Sequence, residues 1–319
     1  MRGAFFNFVL QVVQLVLVLA LAPALTGFIR RVRSRLMGRR GPGILQPYRD
    51  LAKLLHKEAV IAENASWLYR SVPYLIFALL WLAAALVPTF TTRLPLSPAA
   101  DLIALVALIG SARFLQALAG MDVGTSFGGI GSSREMMIAS LAEPAMLMVI
   151  FTVALFIHST SIPSIAEFVL ENPVGIRVSF ALALIALIMV AIAESARIPV
   201  DNPATHLELT MVHEAMVLEY SGRHLALIDL ASELKLLLYV SLIACLFVPW
   251  GLAAPDAGLG ALMIGVIAYV AKLATGAFLL AVFETSIAKM RVFRVPEFLG
   301  AALMLGLLAT LLLFVSRSL

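Results

Sequence analysis

The chain has 319 residues, of which 62% are hydrophobic and only 13% are charged. Soluble domains are about 45–50% apolar and about 25% charged, so this composition excludes an ordinary globular domain. The net charge of +4 does not indicate nucleic-acid binding, because the basic residues lie beside apolar runs, as in membrane proteins. The lone Cys245 excludes an iron–sulfur cluster held by cysteines, and it excludes cysteine-rich zinc sites.

Eight apolar runs are candidates for membrane spans, since a span needs about 20 mostly apolar residues. They cover, in chain order, residues 5–29, 73–90, 102–119, 134–158, 176–193, 234–252, 259–283 and 298–315. The first run is long and has no clean cleavage site, so we interpret it as a span and not as a signal peptide. The fold class predicted is all-α, a polytopic membrane protein of about eight transmembrane helices in one domain, residues 1–319.

Two connecting segments have features of their own. After the first span, Leu51, Leu54 and Leu55 share one helical face among charged neighbours, which predicts a cytoplasmic interfacial amphipathic helix. Between the third and fourth spans, five glycines over residues 120–131 predict a turn. Inside the fourth span, Pro144 follows Glu143, and we expect a broken or hydrated point there.

Most lysines and arginines fall in alternate links, at residues 28–70, 111–136, 194–235 and 286–296. The positive-inside rule then places these links in the cytoplasm and both termini outside. The chain should therefore be a multi-pass protein of a bacterial or archaeal cytoplasmic (inner) membrane.

Ionisable residues inside spans are costly and are usually functional. Glu135 and Glu143 lie in the fourth span, and Lys272 lies near the middle of the seventh, with Glu284 at its end. Because no acid lies within one turn of Lys272, we expect it to meet a carboxylate from another helix.

The segment 194–233, between two apolar runs, is predicted to be a cytoplasmic coupling or docking loop. Glu194 and Arg197 are three residues apart, as helical neighbours are, and prolines at positions 199 and 203 predict a fixed turn around Asp201. A short helix with one apolar face should follow. Neighbouring carboxylates raise one another's pKa, a useful property in an ion path. The alternative is a solvated acidic loop that docks a basic partner surface.

Two sets of candidate residues result. The ion-coupling candidates are Glu135, Glu143, Glu194, Asp201, Glu208, Glu214, Glu219 and Lys272. The docking or structural candidates are Arg49, Asp50, Arg134, Arg197, Pro199, His206 and His213.

A metal site is not predicted. His213-Glu214 begins like a zinc-protease motif, but Val217 stands where the second histidine belongs. His206, Glu208 and His213 lack a further clear ligand. No catalytic group is predicted in this chain.

The segments Glu194-Ser-Ala-Arg-Ile-Pro-Val-Asp201, Glu208-Leu209, Glu219-Tyr-Ser221 and Gly41-Pro-Gly-Ile-Leu-Gln-Pro-Tyr-Arg-Asp-Leu-Ala-Lys-Leu54 resemble motifs of the NADH-quinone oxidoreductase subunit 1 family of complex I. Within that family, three further segments resemble the formate hydrogenlyase and hydrogenase-4 branch: Gly131-Ser-Ser-Arg-Glu-Met-Met137, Glu143-Pro144 and Thr205-His-Leu-Glu-Leu-Thr-Met-Val-His-Glu-Ala-Met216. The quinone-linked members carry more acids where residues 204–206 stand here.

The resemblance implies a membrane anchor and ion-coupling subunit of a membrane-bound [NiFe]-hydrogenase complex. Its implied partners are a hydrogenase-like small subunit with [4Fe-4S] clusters, a large subunit with the NiFe centre, and antiporter-like membrane subunits. This chain itself would bind no cofactor and would be a non-catalytic subunit of an oxidoreductase. The alternatives are a quinone-binding subunit of a complex I-like enzyme, a stand-alone cation or proton transporter, and a passive anchor.

Overall fold

The computed structural model describes residues 2–92, 94–172, 178–197, 211–253, 258–287 and 294–318. Within these ranges the chain is helical and forms no β-sheet, which confirms the all-α class. The helices are α1 (Arg2–Leu36), α2 (Gln46–Leu55), α3 (Trp67–Leu86), α4 (Leu102–Asp122), α5 (Ser126–Ile157), α6 (Ile162–Glu171), α7 (Val178–Glu194), α8 (His213–Val217), α9 (Gly222–Phe247), α10 (Leu259–Ser286) and α11 (Val295–Ser318).

Seven of these helices, α1, α3, α4, α5, α9, α10 and α11, are long and apolar enough to cross a membrane. They correspond to seven of the eight predicted spans. The remaining prediction, the fifth span, corresponds to α7, an apolar helix of 17 residues. At 1.5 Å per residue α7 covers about 25 Å, slightly less than a hydrocarbon core of about 30 Å.

The predicted glycine-rich turn is mostly helical. α4 continues to Asp122 and α5 begins at Ser126, so the turn itself is only three residues long. A Cβ atom on Gly128 would lie 2.1 Å from the carbonyl oxygen of Gly120, so the glycines let α4 and α5 approach backbone to backbone. Of the broken or hydrated point expected at Pro144, the break is wrong, because α5 is continuous through it. Hydration at this point stays a prediction. α6 is a helix that the sequence did not predict.

α9 lies at the centre of the bundle and packs against α1, α2, α3, α7 and α10. α5, α7 and α11 pack together beside it. α10 and α11 are the most exposed of the long helices, whereas most of the apolar part of α9 is buried. The sequence alone could not rank the spans in this way, because all of them are similarly apolar.

Three links meet at one end of the bundle, and we call residues 57–66, 122–125 and 211–221 the link face. The Ser66 amide donates to Asp122 Oδ2 (2.9 Å), and Ser221 Oγ hydrogen-bonds both backbone groups of Val60 at 2.8 Å. The rings of Tyr69 and Tyr220 stack with their centroids 4.0 Å apart. These contacts bring together the links that charge counting assigned to one side of the membrane. The predicted amphipathic helix is present as α2 and packs on α1 and α9.

Candidate functional site

Arg113 is the centre of a buried ionic cluster. It lies on α4, its side chain is only 4% exposed, and its guanidinium contacts the Glu194 carboxylate directly. Glu135 and Glu143, both on α5, each have a carboxylate oxygen 3.7 Å from the same guanidinium. Three of the predicted ion-coupling residues therefore converge on one arginine.

Lys235, on α9, completes the environment of Glu194. Its Nζ lies 2.8 Å from Glu194 Oε2, and both side chains are largely buried. Glu194 is the last residue of α7, so the end of that helix is held between a cation from α4 and a cation from α9.

His213 joins the cluster through Glu135, whose Oε2 lies 3.1 Å from His213 Nε2. The short helix α8 can bring the imidazole this close because it packs onto glycines of α4 and α5. A Cβ atom on Gly131 would lie 3.0 Å from Ala215 Cβ, and one on Gly120 would lie 3.1 Å from Met216 Cγ. The glycines thus position a histidine from a link against a carboxylate of a membrane helix.

The formal charges of this Arg113 cluster nearly balance. Arg113 and Lys235 supply two cations, and Glu135, Glu143 and Glu194 supply three carboxylates. One negative charge remains when His213 is neutral, and protonation of His213 would cancel it. Buried charges are tolerated when they are paired in this way.

A second group, the Glu284 cluster, lies at the end of α7 and consists of Arg33, Arg197 and Glu284. The chain leaves α7 through Ala196, whose φ of 50° is left-handed, and the Arg197 amide donates to the Ile192 carbonyl at 3.1 Å. This is the hydrogen-bond pattern of a Schellman cap. It places the Arg197 guanidinium 3.6 Å from Glu284, which also lies 3.5 Å from Arg33.

The surroundings of Arg197 act on its charge in two directions. Burial lowers the pKa of the Arg197 guanidinium, and the nearby Glu284 carboxylate opposes that shift. The expected helical pair between Glu194 and Arg197 is wrong, because the cap turns Arg197 towards Glu284 while Glu194 faces Arg113.

A cavity of about 670 Å³ borders both clusters. Its walls include Glu194, Lys235 and His213 from the Arg113 cluster, Arg197 and Glu284 from the Glu284 cluster, and also Asp50, Glu214, Asp229 and Glu233. Ligand pockets of about 300–1,000 Å³ are usually lined mostly by apolar side chains. This cavity instead carries charges of both signs, which suits water and ions.

The remaining predicted residues occupy separate places. The Glu143 side chain is 47% exposed on the outside of the bundle, although it pairs with Arg113. Arg134 donates to the Met211 carbonyl at 3.0 Å and so ties α5 to the link face. Glu214 lines the cavity, and Glu219 is exposed. Two further predicted residues are exposed on α2: Arg49, and Asp50, which accepts a hydrogen bond from Gln46.

Two groups of predicted residues are not assigned to either cluster. Lys272 is half-buried on α10, and among the described residues no carboxylate forms an ion pair with it. Pro199, Asp201, His206 and Glu208, together with the rest of the predicted turn, lie outside the described residues.

Sequence reasoning missed Arg113 and Lys235 as members of the site. Both were counted as link charges, although Arg113 falls inside the predicted third span and Lys235 inside the predicted sixth. The signal that could have found them is the one that found Glu143, namely an ionisable residue inside an apolar run. In the part of the chain that the structure describes, no three His, Cys, Asp or Glu side chains are placed to hold a metal ion.

Comparison with known proteins places the chain in a family. The NADH dehydrogenase family model matches residues 9–315. Formate hydrogenlyase subunit 4 of Escherichia coli (strain K12) is 33% identical over 93% of this chain and 95% of its own length. Hydrogenase-4 component C of the same organism is 33% identical over 87% of each chain.

Two more distant similarities are consistent with these matches. An NADH-quinone oxidoreductase subunit of Syntrophotalea carbinolica is 29% identical over 77% of this chain and 79% of its own length. A chain of the membrane-bound sulfane sulfur reductase, an archaeal respiratory membrane complex, has the same fold, with a TM-score of 0.78 over 97% of this chain and 99% of that one at 18% identity. This protein therefore belongs to the NADH dehydrogenase family, which includes subunit 1 of complex I.

Proposed function

We propose that this protein is the membrane-anchor and ion-coupling subunit of a membrane-bound [NiFe]-hydrogenase or formate hydrogenlyase-type complex. The proposal is supported by two relatives at 33% identity whose names are those of a formate hydrogenlyase subunit and a hydrogenase component. The chain docks a peripheral electron-transfer arm and links its redox chemistry to translocation of protons or sodium ions. The complex lies in a bacterial or archaeal cytoplasmic membrane, with both termini of this chain outside.

The single observation that carries the ion-coupling role is the continuity of the Arg113 cluster with the cavity. Glu194, His213 and Lys235 line the cavity, and Arg113 connects Glu194 to Glu143 on the outside of the bundle. Polar groups therefore extend from the side of the links to the membrane-facing surface. Fixed ionisable groups in series at membrane depth are typical of ion paths.

The near balance of charge suggests how the path responds to the docked arm. A proton that arrives on His213 turns the Arg113 cluster neutral and weakens the hold of Arg113 on any one carboxylate. The proton then moves from His213 to Glu135, whose Oε2 lies 3.1 Å from the imidazole, and from Glu135 to Glu143, the exposed member of the cluster. Glu143 passes the same proton to an antiporter-like neighbouring subunit, which leaves His213 neutral and Glu143 ionised again. Both 3.7 Å separations from Arg113 exceed a hydrogen bond, so these pairs can exchange partners with small movements.

Docking is assigned to the link face together with α2. Arg49 and Asp50 are exposed there, and the face is rigid because hydrogen bonds and a ring stack join its three links. The partners are an iron–sulfur small subunit and a hydrogenase-like large subunit, which hold the [4Fe-4S] and NiFe centres. No cofactor is assigned to this chain.

The test measures hydrogen evolution and ion uptake together in inverted membrane vesicles that contain the complete complex. Glu135→Gln and Glu194→Gln should abolish ion uptake, because each removes a carboxylate that contacts Arg113. Glu171→Gln, an exposed residue at the end of α6, is the matched control and should leave both readouts unchanged. Intact ion uptake and hydrogen evolution in both cluster variants would refute the coupling role. Repeating the assay with and without sodium identifies the ion.

A quinone-binding role is the second candidate. The volume of the cavity favours it, since about 670 Å³ is in the range of small-molecule pockets, and a quinone oxidoreductase subunit is among the relatives. The density of charge on the walls disfavours it. A quinone-site inhibitor distinguishes the two: inhibition of electron transfer in the intact complex would support the quinone role.

A further inference from the structure

Lys272 has no place in the path proposed above. It is the fourteenth of the 28 residues of α10 and therefore lies near the middle of a helix that is apolar enough to span the membrane. At 1.5 Å per residue each end of the helix is roughly 20 Å away, which is too far for a lysine side chain to place its ammonium among the lipid headgroups. The charge must find a partner at mid-depth.

The part of the chain that the structure describes does not supply that partner. None of the carboxylates in the described residues forms an ion pair with Lys272. The side chain is half-buried, so part of it faces outward from the bundle. Intramembrane lysines generally pair with an acid or a backbone carbonyl, because an isolated charge in hydrocarbon is costly.

The residues around Lys272 form a surface that suits a neighbouring helix. Ile264, Ala268, Lys272, Thr275 and Leu279 are three or four positions apart and share one side of α10; we call them the Lys272 stripe. Ile264 and Leu279 are 65% and 61% exposed, and Thr275 is exposed with its hydroxyl bonded to its own helix. Small residues between large apolar ones are typical of packed membrane helices.

The packing of the rest of α10 is consistent with a helix at the edge of the bundle. Its inner side packs against α1 and α9, where Ser241 and Tyr269 share a buried hydrogen bond of 2.8 Å. Its apolar window is the least buried of the seven long helices.

We propose that the Lys272 stripe binds a transmembrane helix of another membrane subunit, and that this helix carries an Asp or Glu at mid-depth that pairs with Lys272. The inference rests on the proposed assembly into a multi-subunit membrane complex and adds a specific site to it. The stripe is distinct from the exposed position of Glu143, which lies on α5. Charge complementarity selects the partner: a carboxylate on a spanning helix satisfies the lysine where lipid tails cannot.

Photo-cross-linking in the intact complex tests the proposal. A photoreactive phenylalanine analogue replaces Ile264 or Leu279 in the stripe, or Met263 on the opposite, equally exposed side of α10 as the matched control. We expect the stripe positions to cross-link to a spanning segment that has an Asp or Glu within about two helical turns of the adduct, because the probes lie about two turns from Lys272 along α10. Adducts with lipid alone, or with a segment that lacks an acid, would overturn the proposal.

Substitution of the lysine gives an independent readout. After Lys272→Met, recovery of that subunit with the tagged chain should fall about tenfold, as a loss of about 1.4 kcal/mol in association free energy predicts. Lys272→Arg should retain the recovery of that subunit. Lys272→Glu should lose it, and replacement of the partner's acidic residue by lysine should then restore it. Unchanged recovery with Lys272→Met would mean that the lysine does not hold the partner. Neither experiment depends on hydrogen evolution or ion transport, so the outcome is separate from that of the proposed function.

Discussion

Replacement of Arg113 by methionine is the most informative perturbation of the ionic cluster. Methionine keeps most of the apolar volume but removes the cation that contacts Glu194 and faces Glu135. Both carboxylates are almost completely buried, and loss of one partner from a buried pair costs about 3–5 kcal/mol. Lys235 still neutralises part of the charge of Glu194, so we expect the lower end of that range.

The magnitude is large against total stabilities of about 5–15 kcal/mol, so it is measurable by unfolding of the purified complex in detergent. Arg31→Met is the control, since Arg31 is exposed, and a change there should stay within about 0.5 kcal/mol.

A double-mutant cycle with Glu194→Gln then isolates the pair. The variant that carries both changes should be less destabilised than the sum of the single variants by about 1–3 kcal/mol, because neither member is left with an unpaired charge. Strict additivity of the two effects would contradict the reasoning, since it would mean that Arg113 and Glu194 do not interact in the folded protein.

Three further predictions concern packing and the second cluster. Gly128→Ala should destabilise the protein by about 1–3 kcal/mol, because the added methyl group clashes with the backbone of α4. Gly129→Ala has open space at its Cβ and should stabilise the protein by about 0.5–1 kcal/mol. Equal effects of the two substitutions in detergent unfolding would contradict the close approach of α4 and α5. Glu284→Gln should lower the free energy of unfolding by about 1.5–3 kcal/mol, because it removes the carboxylate that holds Arg197. The peptide bonds next to Arg197 should then be cleaved faster by protease. Unchanged cleavage would exclude a role of Glu284 in holding Arg197. Tyr220→Phe should cost about 1 kcal/mol, since burial raises the pKa of Tyr220 and keeps its hydroxyl a donor to the Tyr69 carbonyl at 3.0 Å; a thermal melt without any shift would argue against this bond.

The sequence by itself determined the class of protein and the positions of its long helices. Hydropathy is a local property, so apolar runs could be located without knowledge of what they pack against. The same local contrast singled out Glu135, Glu143 and Glu194, because a carboxylate inside or at the end of an apolar run is costly and therefore unusual. Helix α2 was predicted from another local pattern, the position of Leu51, Leu54 and Leu55 on one helical face.

Only the tertiary structure decided which charges meet. Arg113 and Lys235 were counted as link charges, and their common partner Glu194 is remote from both in the sequence. Arg197 was assigned to Glu194 by helical spacing, but a left-handed residue at the end of α7 turns it towards Glu284. Ion pairs between helices depend on how the bundle packs, and the packing depends on contacts that no local pattern contains. The sequence therefore identified residues that need partners, and the fold selected those partners.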